Sequence, residues 1–199
     1  MTLNSRLMAI VVNLVVLKIG WLLAVVGASQ GVGWAGPLWS VLVLATYFAL
    51  DRLRPGELRL VLVACLVGLG VDTAMKQLGF IHYAADGPIA GLAPAWIVGL
   101  WVLLATSMPR SLAWLVGRPV LAMMAGALLA PLSYWAGVSF GAAQFAAGEL
   151  QGLVAVGIAW GIALPLLGEA TRRLLPQPRV SGHIARNTTV MTTRHQRSI

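Results

Sequence analysis

The stretch DRLRPGELRLVLVACLVGLGVDTAMKQLGF, residues 51–80, decides the class of this chain. It opens on a charged loop carrying Arg52, Arg54, Glu57 and Arg59, with a Pro55-Gly56 turn. From Leu60 to Leu78 it is then apolar apart from Asp72, Thr73, Lys76 and Gln77. A helix crosses a bilayer on roughly 20 mostly apolar residues. The run is continuous rather than alternating, which argues against the strands of a membrane barrel. The reading is therefore a transmembrane helix entered directly from an arginine-rich loop.

Working outward, the same pattern recurs at Leu7–Ala28, Trp34–Leu50, Leu92–Met108, Pro119–Gly137 and Glu149–Gly168. The expected fold is all-α, a polytopic membrane bundle of about six transmembrane helices over residues 1–169. Residues 170–199, basic and without apolar periodicity, read as a disordered tail. Composition agrees: 59% of the 199 residues are hydrophobic, 10% are charged, and the mean hydropathy is +0.84. A soluble domain carries about 25% charged residues to cover its surface. The first apolar run is longer than the roughly 7–15 residues of a signal peptide and contains Lys18, so it reads as a retained span.

The basic residues set the expected orientation. Of the 14, the lysines are Lys18 and Lys76; the other twelve are arginines. All of those fall at Arg6, in the loops after the second and fourth spans, or in the tail. Basic residues accumulate on the cytoplasmic side, so both termini are expected there, in a bacterial inner membrane. A net charge of +8 invites a nucleic-acid reading, but arginines just beyond a final span suit anionic lipid head groups better. The expected partners are membrane lipids, with a partner membrane enzyme or a second copy as alternatives, and no nucleic acid. The single Cys65 excludes a disulfide framework and a Cys-based zinc site. No cofactor, metal or catalytic motif is read.

Ionisable groups within a bilayer need a reason, at about 2.5–3.5 kcal/mol each on insertion scales. Lys18 lies about 18 Å past Arg6 along a helix, and Asp72 about 20 Å past Arg59. Lys76, one turn after Asp72, shares its face. The expectation is a polar site of Lys18, Asp72 and Lys76, with the carboxylate shared between the lysines, joined by Ser133 and Tyr134 on the proline-broken fifth span. It either fixes helix packing, with Lys76 snorkelling outward, or lines a pocket in the outer half of the membrane. Tyr134 itself reads as an interfacial anchor, as do Trp34, Trp96, Trp114 and Trp135. In the outer loops, His82 and Asp86 stand with Tyr83, and across from them are Gln144 and Glu149, the latter complementing the sixth helix dipole. Gly137-x-x-x-Gly141 and Gly157-x-x-x-Gly161 allow close helix approach.

Asn13 and Trp21, Asp72, Trp101, Ser111-Leu112-Ala113-Trp114-Leu115 and Pro131-Leu132-Ser133-Tyr134 with Gly137 and Gly141 resemble an uncharacterised family of bacterial multi-pass inner-membrane proteins, domain of unknown function 2878. The resemblance covers Asn13 to about Gly168. It implies a glutamine where this chain has Lys18, and an association with lipid-modifying enzymes. The functional expectation is a non-catalytic accessory protein for membrane-lipid modification or envelope stress. The alternatives are a small permease or transporter binding subunit, and a membrane-embedded lipid-modifying enzyme using Asp72.

Overall fold

The computed structural model describes residues 3–50, 52–87 and 89–175. The reading of residues 176–199 as a tail lies outside the described residues. Six helices run in order: α1 (Leu3–Ser29), α2 (Ala35–Ala49), α3 (Glu57–Gln77), α4 (Ala95–Ser107), α5 (Pro119–Ser139) and α6 (Glu149–Leu174). Two three-residue strands, β1 (Ile81–Tyr83) and β2 (Ala143–Phe145), sit in the α3–α4 and α5–α6 connections. The expected all-α bundle is what forms. Among the described residues, α1, α3, α5 and α6 are long and apolar enough to cross a membrane, while α2 and α4 are apolar but shorter. The outward faces carry exposed leucine, valine and isoleucine, among them Val41, Leu62, Leu66, Leu128, Ile158 and Ile162. So much contiguous apolar surface requires lipid as its solvent, and the chain is an integral membrane protein.

Helix α4 is the innermost. Trp96, Ile97, Gly99, Trp101, Leu103, Ala105, Thr106 and Ser107 are all buried, on every side of the helix. A helix apolar all round belongs in a core. At 13 and 15 residues, α4 and α2 are each about 20 Å long, against a hydrocarbon layer of about 30 Å. Pro94 precedes α4 in an extended conformation, which explains why the expected span from Leu92 begins later. The two short helices meet through small residues. Ser40 Oγ donates to the Gly99 carbonyl at 2.9 Å, and a Cβ on Gly99 would stand 3.1 Å from Pro37 N.

The two ends of the bundle differ in chemistry. At one, Arg110 of the α4–α5 connection reaches α3, the α2–α3 connection and α2: its Nη1 lies 2.9 Å from the buried Glu57 carboxylate, its Nη2 donates to the Arg52 carbonyl at 2.9 Å, and its guanidinium lies over the Tyr47 ring. Asn13 continues the network, donating to Tyr47 Oη at 3.1 Å and accepting from Ser111 Oγ. Helix α6 ends here too, later than expected. Its last turns are held by Glu169 pairing with Arg172 and Arg173, and by the buried Thr171. Gly56, with φ +94°, passes so close to the end of α6 that a Cβ would lie 2.4 Å from the Leu174 carbonyl.

At the opposite end, the α3–α4 and α5–α6 connections, expected as separate outer loops, pair antiparallel with His82 opposite Gln144. Hydrogen bonds from Ala84 N to Ala142 O and from Ala146 N to Phe80 O extend the ribbon. Trp96 in the first turn of α4 packs on it, its Nε1 donating to the Ala84 carbonyl at 3.0 Å. The α5–α6 crossing bears out Gly157-x-x-x-Gly161 as a packing surface, since both glycines face α5 closely. Pro131 leaves the Ala127 carbonyl without its helical donor, and that oxygen faces Gly157. Gly137 does not act this way: no atom lies within 4 Å of its Cβ position.

A pair of substitutions tests the crossing. A Cβ on Gly126 would stand 2.2 Å from the Trp160 carbonyl, whereas Gly70 faces open space. Gly126→Ala should cost about 1–3 kcal/mol of stability through overpacking. Gly70→Ala should be neutral or raise stability by up to about 1 kcal/mol, both read by thermal unfolding in detergent.

Candidate functional site

The buried stripe of α3 reads Glu57, Leu60, Ala64, Gly68, Asp72 and Met75, close to one residue per turn. Within it, Gly68 and Asp72 act together. The Trp101 indole lies directly on Gly68, where a Cβ would approach its ring to 2.2 Å. That seat brings Trp101 Nε1 to 2.8 Å from Asp72 Oδ2. The other carboxylate oxygen accepts from Tyr83 Oη at 2.7 Å and from Tyr134 Oη. Three elements, α4, β1 and α5, thus each contribute one donor to a carboxylate that is fully buried. A carboxylate in an apolar interior is tolerable only when its oxygens are hydrogen-bonded. Trp160 extends the group: its ring stacks on Trp101 at 4.5 Å and its Nε1 lies 3.4 Å from Tyr134 Oη.

In front of this cluster lies a cavity of about 300 Å³. Helices α1, α4, α5 and α6 wall it, from Tyr83 and Ala143 at the ribbon end to Leu112 and Leu115 at the arginine end. Along α5 it follows Ala125 to Gly137, about 18 Å of helix rise. It is long and narrow, and its wall is almost wholly apolar. Five of the eight tryptophans face it: Trp21, Trp96, Trp101, Trp114 and Trp160. The exposed side chains of Lys18, Trp114 and Leu129 belong to its lining and mark its mouth. Above the mouth, Trp21 Nε1 donates to Ser133 Oγ at 3.0 Å, joining α1 to α5.

The structure brings some of the expected site residues together and separates others. Lys18, Ser133 and Tyr134 line one cavity, and Asp72 sits behind Tyr134. The shared carboxylate does not form. Lys76 reaches Asp86 at 2.6 Å and the Leu92 carbonyl at 3.2 Å. It stands one turn nearer the ribbon end than Asp72 and pairs with an exposed carboxylate. Lys18 lies against the Trp21 ring, its Nζ 5.9 Å from the centroid.

Tyr134 is a ligand of Asp72 rather than an anchor, and Trp96, 3% exposed, packs edge-on against Tyr83. Trp34, Trp114 and Trp135 do stand exposed near the ends. The outer-loop groups do not converge. His82 is exposed on the ribbon, Asp86 is taken by Lys76, and Glu149 accepts from Trp135 Nε1 at 3.1 Å. Sequence reasoning missed Trp101, Trp160 and Tyr83 as parts of the site. The available signal was Gly68 one turn before Asp72, which marks a space for a large ring beside a buried acid.

The family described as "Protein of unknown function (DUF2878)" matches residues 10–166, and the chain belongs to it. No curated protein and no solved structure matches the chain. Residues far apart in the sequence on which the family resemblance rests meet in the fold. Trp21 bonds Ser133, Asp72 bonds Trp101 and Tyr134, and Asn13 bonds Ser111.

The Asp72 cluster makes a graded prediction. In Asp72→Asn the amide oxygen can serve Trp101 while the tyrosines accept from its nitrogen, so the loss should be about 1 kcal/mol. Asp72→Ala strands three donors and should cost about 1–3 kcal/mol for each left unpaired. Thermal unfolding of the detergent-solubilised protein should rank wild type above Asn above Ala. Equal melting of the two variants would mean the donors find other acceptors.

Proposed function

We propose that this protein binds a membrane lipid within the bilayer, as a non-catalytic accessory to membrane-lipid modification or envelope maintenance. One observation carries the reading: a narrow, nearly apolar cavity in a lipid-immersed bundle, with its mouth at exposed residues of α1 and α5. Buried water needs two to four polar partners, and most of this wall offers none. The medium at the mouth is hydrocarbon, so an acyl chain is the occupant that enters at least cost.

The groups an enzyme reading would use do not converge. Both Asp72 oxygens hold donors, and His82 lies exposed on the outer ribbon. The arginine-bearing end suits the cytoplasmic face of a bacterial inner membrane by the positive-inside bias. It would present Arg6, Arg59 and Arg118 to anionic head groups or to a partner enzyme. A fluorescent protein fused to the carboxyl terminus should therefore mature and fluoresce, and an alkaline phosphatase fusion at the same point should stay inactive. The reverse pattern would invert the orientation.

Gly137 supplies the direct test of lipid binding. It lines the cavity and has free space at its Cβ position, so Gly137→Leu should fill the cavity without straining the helix. Native mass spectrometry from mild detergent should find lipid on the wild type and little on the variant, with no drop in melting temperature. Lipid profiles of a deletion strain should be restored by the wild-type gene and not by Gly137→Leu. Equal lipid occupancy of the two proteins would refute the reading.

A further inference from the structure

Most polar atoms around the cavity are satisfied internally. The indoles of Trp21, Trp96, Trp101 and Trp160 donate to Ser133, Ala84, Asp72 and Tyr134, and the Tyr83 and Tyr134 hydroxyls donate to Asp72. Three donors on the lining remain among the described residues: the Trp114 indole at the arginine end, and two nearer the Trp21–Ser133 bond. The Lys18 ammonium meets no carboxylate or hydrogen-bond acceptor among the described residues; its contact is the Trp21 ring. Ser133 Oγ accepts from Trp21, and its own proton has no acceptor among the described residues. Both side chains line the same cavity.

Lys18 lies three residues before Trp21 on α1, which places it near the middle of the cavity's length. The aliphatic part of the wall, with Leu104, Leu112, Leu115 and Leu164, lies toward the arginine end. An ammonium at mid-membrane depth without a counter-charge is strongly disfavoured, and the indole it lies against bonds a hydroxyl with a proton to give. The complement of two donors and no acceptor is an acceptor-only anion carried on an apolar chain.

We infer that the cavity takes a single-chain anionic amphiphile, a long-chain carboxylate, with its head on Lys18 and Ser133 and its chain running inward along the leucine-lined wall. The inference rests on the lipid-binding reading and adds the chemistry of the head group. The space of about 300 Å³ is at the small end of ligand cavities, which suits one chain rather than the two of a phospholipid.

The test uses the purified full-length protein in nonionic detergent, whose five cavity tryptophans report occupancy by fluorescence quenching. The probes are bromododecanoate and bromododecanol, equal in chain and different in head. The carboxylate should bind at least about ten-fold more tightly, the worth of a hydrogen bond to a charged group. Lys18→Gln should bring the two within about two-fold without weakening the alcohol, and Lys18→Arg should keep the preference. Gly137→Leu, one turn past Ser133 and leaning back over it, should weaken quenching by both.

Equal binding of the two probes by the wild type, or an undiminished preference in Lys18→Gln, overturns the head-group assignment while leaving chain binding intact. Absence of quenching by either probe overturns the lipid-binding reading beneath it, and quenching that Gly137→Leu does not change overturns the placement of the head beside Ser133.

Discussion

The ribbon-side half of this bundle is arranged around one requirement, that a fully buried carboxylate in a hydrocarbon-immersed protein must have its oxygens occupied. Asp72 meets it with donors from three separate elements. The requirement then propagates. Trp101 can reach the carboxylate because Gly68 lets its ring lie flat on α3. Tyr83 can reach it because the two outer connections pair and turn that side chain inward. Tyr134 comes from α5, and Trp160 behind it comes from α6. A single acid therefore fixes the relative placement of α3, α4, α5 and the ribbon. It does so through neutral donors, with no buried ion pair and its doubtful contribution to stability.

The cavity follows from the same arrangement. The aromatic side chains drawn in around Asp72 are wide and flat, and small residues face them on α5: Gly126, Ala130 and Gly137. Rings on one wall and glycine or alanine on the other leave a slot. Helices α1 and α5 are tied above its mouth by the Trp21–Ser133 bond. At the opposite end, the Arg110 network holds α2, α3 and the α4–α5 connection together. The slot thus runs between two polar girdles, each built of hydrogen bonds between elements.

Much of this was legible in the sequence. The spans, the segregation of arginine to one end, and Asp72 as the residue needing explanation all follow from hydrophobicity and charge, which act locally and need no tertiary knowledge. The partner of Asp72 was not legible. Four-residue spacing places Lys76 on the right face, but it also places that long chain one turn nearer the surface, where a hydrated carboxylate competes better than a buried one. The tryptophans misled for a related reason. Indoles favour both interfaces and cavities, and only the contacts of Trp96 and Trp101 with other chain segments decide between those environments. The pairing of the two outer connections could not be read because three-residue strands carry no periodic signal. The candidate site was therefore half visible: its acid, serine and tyrosine were found, and its aromatic wall was not.

The separation of the Asp72 donors along the chain bears on how the protein is made. Tyr83 lies 11 residues after the carboxylate, Trp101 29 residues after it, and Tyr134 62 residues after it. At a synthesis rate of about 5–20 residues per second, the last donor trails the acid by about 3–12 s. During that interval α3 carries an acidic group whose acceptor capacity is only partly used. The order of the genetic text thus makes α5 the segment whose synthesis completes the set of donors around Asp72.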